Sequence, residues 1–174
     1  MTDRAAARSD DEQDAGAGGT GAPPPENAAN RVRAGLTRQY ERPEIRVLWF
    51  ASRCIHSAAC VRALPIVFDP ARRPWIEINA ADADAIARAV VRCPTGALQY
   101  ERLDGGENEQ AADTVKVTPV RNGPYLIRGR VDVVDPVTRE THTEMRLALC
   151  RCGQSKHMPY CDNTHRAIGF RSSP

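Results

Sequence analysis

The run CRCGQSKHMPYCDNTH, residues 150–165, places Cys150, Cys152, Cys161 and His165 within sixteen residues near the end of a 174-residue chain. Cys150 and Cys152 flank a single residue, so both sulfurs can point at one metal from an extended or looped backbone. The Cys161 to His165 spacing delivers one more thiolate and an imidazole. Such soft and borderline donors suit iron-sulfur clusters and zinc alike, and together they make a Cys3His set. C-x-C is uncommon beside the wider spacings of zinc sites, which favours a cluster over zinc. Unliganded thiols are the plain alternative. His157 and His142 stand outside the pattern, the first as a surface residue and the second within a β-strand.

Upstream, residues 115–120, 125–134 and 138–149 are β-rich, with breaks at Asn122, Gly123 and Pro124 and at Asp135 and Pro136 where hairpin turns fit. This β unit runs directly into Cys150. Residues 104–114, with Gly105, Gly106 and several acids, read as a linker between two small units.

Before the linker, residues 44–50 read as a strand on Ile45, Val47, Leu48 and Trp49, 58–64 as a short helical turn, and 75–78 as a second strand. Residues 81–92 read as a helix with Ile86, Ala89 and Val90 on one face and Asp82 and Asp84 in its first turn. Cys93 and Pro94 end it, Thr95 and Gly96 turn, and 97–103 read as a strand. A unit of this size, 41–103, promises only a meagre core.

Its cysteines form a second set. Cys54 and Cys60 make C-x5-C, and Cys93 precedes Pro94, which is how a ferredoxin places its ligands: a loop of thiolates and a last cysteine before proline. Where a four-cysteine loop would carry its second ligand stands Ser57. Three thiolates match a 3Fe-4S cluster, whereas a 4Fe-4S cluster calls for Ser57, His56, water or a partner ligand at the fourth iron. Three thiols packed in a small core is the alternative, since free cysteine is commonly buried.

Residues 1–40, rich in Ala, Gly, Asp and Glu and containing Pro23, Pro24 and Pro25, read as a disordered tail. They hold no apolar run long enough for a signal peptide or a membrane span, which points to the cytoplasm and away from membranes. In that compartment six cysteines are expected to be metal ligands or reactive thiols, not disulfides. The 24 basic and 22 acidic residues, net +2, are interleaved, so no nucleic-acid footprint forms. No nucleophile and base pair, phosphate loop or pocket signature is present, and no enzyme is expected.

Residues 150–165 resemble the CDGSH, or NEET-type, iron-sulfur motif: C-x-C, then Ser155 three residues on, then Pro159, Cys161, Asp162 and a terminal His165. The resemblance implies a 2Fe-2S cluster in which two cysteines hold one iron and a cysteine and a histidine hold the other, with ligands Cys150, Cys152, Cys161 and His165. Asn163 stands where the family usually has Gly, and Thr164 where it usually has Ser. Asn is among the residues most tolerant of a positive φ, and Thr keeps a hydroxyl. Asp162 and Glu144 read as structural acids.

The span 45–100 carries Cys54, Ile55 and His56, Leu64 and Pro65, Val67, Phe68 and Asp69, Arg73, Pro74 and Trp75, and the run from Cys93 to Leu98. It resembles the divergent single-cluster ferredoxin domain of the 4Fe-4S type. Together the resemblances imply an α+β chain: a ferredoxin-like α/β unit at 41–103, then a β-rich CDGSH-type unit at 115–174. They imply one-electron transfer between a reductase and an acceptor, the histidine ligand raising the potential relative to an all-cysteine 2Fe-2S centre. Cluster storage, transfer or redox sensing is the alternative, because protonating a histidine ligand competes with iron. A zinc-stabilised module is the third reading. Arg146, Arg151, Lys156 and Arg166 read as a solvated face or as steering for an acidic redox partner. The oligomeric state stays open.

Overall fold

Strand β2 (Ile45–Trp49) is apolar enough to be covered on both faces. Ile45 and Val47 enter the main core, while Leu48 packs with Phe50 and Leu36 on the other side. The computed structural model describes residues 35–134 and 139–172. In it β2 lies between β1 (Arg38–Arg42) and β3 (Leu98–Arg102), all antiparallel. β1 falls partly inside the span expected to be tail. Its sequence RQYER buries only Tyr40, so it has no apolar alternation, and its register against β2, from Arg38↔Trp49 to Arg42↔Ile45, makes it a strand. Residues 1–34 of the expected tail, and the expected turn at Asp135 and Pro136, lie outside the described residues.

Helices α1 (Ala59–Ala63) and α2 (Ala83–Val90) connect β2 to β3. Asp82 caps α2, its carboxylate accepting from the Ala85 amide at 2.7 Å. Ala83, Ile86, Ala87, Ala89 and Val90 turn inward, and burying Ile86 and Val90 contributes about 1.5–3 kcal/mol each. The expected strand over 75–78 is only an isolated bridge, Phe68↔Ile76, because no further strand lies beside it. The loop nevertheless buries Val67, Phe68, Ile76 and Ile78, and Trp75 meets Trp49 edge to face at 5.1 Å. These loop residues enlarge a core that strand and helix patterning alone made meagre.

The second sheet is the antiparallel meander β4 (Lys116–Pro119), β5 (Tyr125–Val134) and β6 (Thr141–Leu149), with an irregularity between Arg128 and Val131. Its own buried apolar residues are few: Ile127, Leu147 and Ala148. On β6, Glu144 and Arg146 are 1% and 2% exposed and reach into the first unit. The segment expected as a linker is tied at both sides: Asn108 Oδ1 accepts from the Arg102 amide at 2.8 Å, and Glu109 pairs with Arg146. The result is an α+β chain of two small units. Among the described residues, no helix is long and apolar enough to cross a membrane.

Candidate metal centres

β6 ends at Leu149, and the chain then loops out and returns to pair with its own stem. The Cys150 amide donates to Pro159 O, the Cys161 amide donates to Ala148 O, both at 2.8 Å, and Leu149 bridges Tyr160. The loop therefore closes with its first and third cysteines at its base. Asn163 adopts a left-handed conformation (φ 72°) and starts α3 (Thr164–Ala167), which sets His165 one turn after Cys161. Asp162 holds this turn: its carboxylate accepts from the amides of Lys156 and Thr164, each at 2.9 Å. Burial alone would raise the Asp162 pKa, but the Lys156 amide, the Thr164 side chain and the Thr164 amide outweigh it and keep the pKa below the ordinary carboxylate value. Ser155 Oγ donates to Tyr160 O at 2.6 Å and accepts from the His157 amide at 3.1 Å, bracing the loop from inside.

The four expected ligands come together as two pairs. Cys150 Sγ lies 3.7 Å from Cys152 Sγ, and Cys161 Sγ lies 3.4 Å from His165 Nδ1. The second pair is buried, Cys161 at 4% and His165 at 7% exposure. Burial, and then the nearby Arg166 charge, lower the His165 pKa and favour the neutral imidazole that binds metals. Burial raises the Cys161 pKa. For Cys150 burial opposes ionisation, but backbone amides led by that of Ser155 prevail and lower its pKa. Among the described residues, no three His, Cys, Asp or Glu side chains converge around a single ion.

The first cysteine set also comes together. Phe50 donates its amide to Ala97 O, a 3-10 turn (Ala51–Arg53) follows, and His56 and Ala58 take left-handed conformations that reverse the chain. This brings Cys54 and Cys60 to the cavity that Cys93 also lines; Cys93 follows α2, and its sulfur lies 3.6 Å from Thr95 Oγ1. The three cysteines line one small cavity of about 30 Å³ whose other walls are mainly apolar, among them Trp49, Trp75 and Leu98. Burial raises the Cys54 pKa and lifts that of Cys60 to about 11. Ser57 lines this cavity, whereas His56 is exposed and does not. All six cysteines are free thiols.

The two centres share an interface that sequence reasoning missed. Arg53, next to Cys54, forms a buried ion pair with Glu144 at 2.6 Å, its guanidinium 4.6 Å from both the Phe50 and Tyr160 ring centroids. Arg146 donates to Val90 O at 2.9 Å, to Leu98 O at 3.0 Å and to Cys93 O, and pairs through two nitrogens with Glu109. A side chain at Gly96, whose φ is 65°, would collide with the Arg146 carbonyl. The available signal was the alternation in β6 that sets Glu144, Arg146 and Ala148 on one face. Arg146 is therefore a core residue and no part of a steering surface. Arg151 is half-buried, 5.1 Å over the Tyr125 ring, and Lys156 and Arg166 are exposed.

Comparison with known proteins agrees with this arrangement. Residues 40–103 match the divergent 4Fe-4S mono-cluster family, and residues 122–166 match the iron-binding zinc finger CDGSH type. The chain is 35% identical over 63 residues to the uncharacterized protein YjdI of Escherichia coli K12, covering 36% of this chain and 83% of that protein. YjdI of Escherichia coli O157:H7 matches to the same extent. No solved structure matches the chain. With both its cysteine sets inside matched regions, the chain is an iron-sulfur protein that belongs to the divergent 4Fe-4S mono-cluster family and carries an iron-binding CDGSH-type domain behind it.

Proposed function

We propose that the protein transfers single electrons between redox proteins, using a 2Fe-2S cluster held by Cys150, Cys152, Cys161 and His165 and a second cluster held by Cys54, Cys60 and Cys93. The observation that carries this reading is the pairing of donors at the C-terminal site. One thiolate pair and one thiolate-imidazole pair suit two irons, and zinc would need all four donors around one ion. When bound, such clusters supply one-electron redox chemistry. The chain's part is to hold the donors, keep His165 neutral, and bury Cys161 and His165 away from water.

At the first centre three thiolates suit a 3Fe-4S cluster, and Ser57, which lines the cavity, is the better placed of the two extra candidates for a 4Fe-4S cluster. A broad groove between α1 and α2 flanks Cys60 and Cys93. It is lined by the exposed residues Arg62, Arg88 and Arg92 with no acid among its walls, which suits an acidic reductase or acceptor. This reading makes the protein a carrier and not an enzyme, working in the cytoplasm where free thiols stay reduced. Cluster delivery is the second reading, favoured by the partial exposure of Cys150 and Cys152.

Anaerobic purification with iron and sulfide analysis, absorption and EPR spectroscopy tests the proposal. Cys93→Ala should remove one signal and leave the other, and His165→Ala should alter the 2Fe-2S signal while leaving the spectral shape of the first cluster unchanged in the freshly purified protein. A colourless, zinc-loaded product would overturn the assignment. Transfer of the cluster to an apo-ferredoxin within hours would favour delivery over electron transfer.

A further inference from the structure

Cys54 is flanked by two residues that both reach the C-terminal ligand turn. On one side Arg53 stacks on Tyr160, which precedes Cys161. On the other, Ile55 presents its carbonyl to the side chain of Asn163, whose Nδ2 donates to it at 2.8 Å. Asn163 lies between Cys161 and His165, so one hydrogen bond joins the loop of one centre to the turn of the other. The chemistry sets its direction: a carbonyl only accepts, so the amide NH2 faces Ile55 and Oδ1 points away.

That oxygen is buried and has no hydrogen-bond partner among the described residues. A buried acceptor without a partner is a cost. The backbone of Asn163, φ 72° and ψ 3°, is one that Gly adopts without strain and without an oxygen to satisfy. Compared with Gly, Asn therefore adds an unpaired oxygen and one benefit that Gly lacks, the bond to Ile55.

We propose that Asn163 is a positioning residue that couples the two centres, so that a cluster held at the C-terminal turn steadies the Cys54 loop and slows loss of the first cluster. The inference rests on both centres carrying clusters. Ligands at His165 and Cys161 restrain the turn, the turn holds Ile55 through Asn163, and Ile55 restrains Cys54. A coupling of this kind acts in both directions.

The test uses the full cluster-loaded chain challenged anaerobically with an iron chelator, the two centres followed separately by EPR. Asn163→Gly keeps the left-handed turn and removes the tie together with the unpaired oxygen. It should shorten the life of the first cluster roughly two- to tenfold, the range one hydrogen bond supports, with the 2Fe-2S spectrum unchanged. His165→Ala should hasten loss of the first cluster in the wild-type background but add little in Asn163→Gly. If both signals are present and Asn163→Gly releases the first cluster at the wild-type rate, the coupling is overturned while the two-cluster reading stands. If the wild type shows no signal lost in Cys93→Ala, both fall.

Discussion

Arg146→Met should show that the two units stand or fall together. The Arg146 guanidinium, 2% exposed, supplies donors to Val90 O, Cys93 O and Leu98 O and makes a two-point pair with Glu109, itself mostly buried. Methionine fills a similar volume and supplies no donor. Removing one partner of a buried ion pair costs about 3–5 kcal/mol, and each buried acceptor left bare about 1–3 kcal/mol. The costs overlap, because Val90 O keeps its bond from the Cys93 amide and Glu109 retains some access to water. The expected total is about 4 kcal/mol, a large share of the 5–15 kcal/mol about which such a fold is stable. With a urea slope of about 2 kcal/mol/M the midpoint falls by roughly 2 M. Urea unfolding of the full chain, followed by tryptophan fluorescence and far-UV circular dichroism, measures it. Trp49 and Trp75 both report the first unit, so a change on β6 is read across the interface. Arg146→Met with Glu109→Gln should recover part of the loss, since no carboxylate is then left unpaired. A midpoint shift below roughly 0.5 M, about 1 kcal/mol by the same slope, would refute the interface argument.

Asp104 makes two hydrogen bonds with Arg102, at 2.7 and 3.0 Å, and that guanidinium holds its pKa down to about 2. A carboxylate depressed in the folded state contributes stability above its unfolded pKa and loses it as pH falls through the folded one. The difference between wild type and Asp104→Asn should therefore be constant near neutral pH, shrink below about pH 4 and vanish only below about pH 2, as urea titrations at several pH values would show. Reversing charge in the groove with Arg88→Glu and Arg92→Glu should slow electron exchange with an acidic flavoprotein reductase and flatten its dependence on salt in stopped-flow mixing. Rates that ignore both the substitutions and the ionic strength would rule that surface out as the docking face.

Much of the local structure was legible because it follows from short-range chemistry. The apolar run of β2, the inward face of α2, and the hairpin strands β5 and β6 all lie within the expected spans, whereas Asp82, expected in the first turn of α2, is its cap. β1 was missed because RQYER carries one buried side chain, and its strand character comes from pairing with β2. The strand expected at 75–78 failed for the converse reason: alternation was present, but beyond a single bridge no neighbour was.

Both candidate ligand sets could be read from spacing and resemblance, because cysteine and histidine carry their donor chemistry with them wherever the backbone places them. The sequence by itself determined that there are two cysteine-rich centres in two small units. Their relation to each other was decided only by tertiary structure. Arg53 and Glu144 are 91 positions apart, and Asn163 and Ile55 are 108 apart, so no local pattern marks them as partners. Charged residues in a strand read as a solvated face until the opposing surface is known. Here that surface is the other unit, whose carbonyls accept from Arg146 and whose Arg53 pairs with Glu144, while Glu109 of the connecting segment pairs with Arg146.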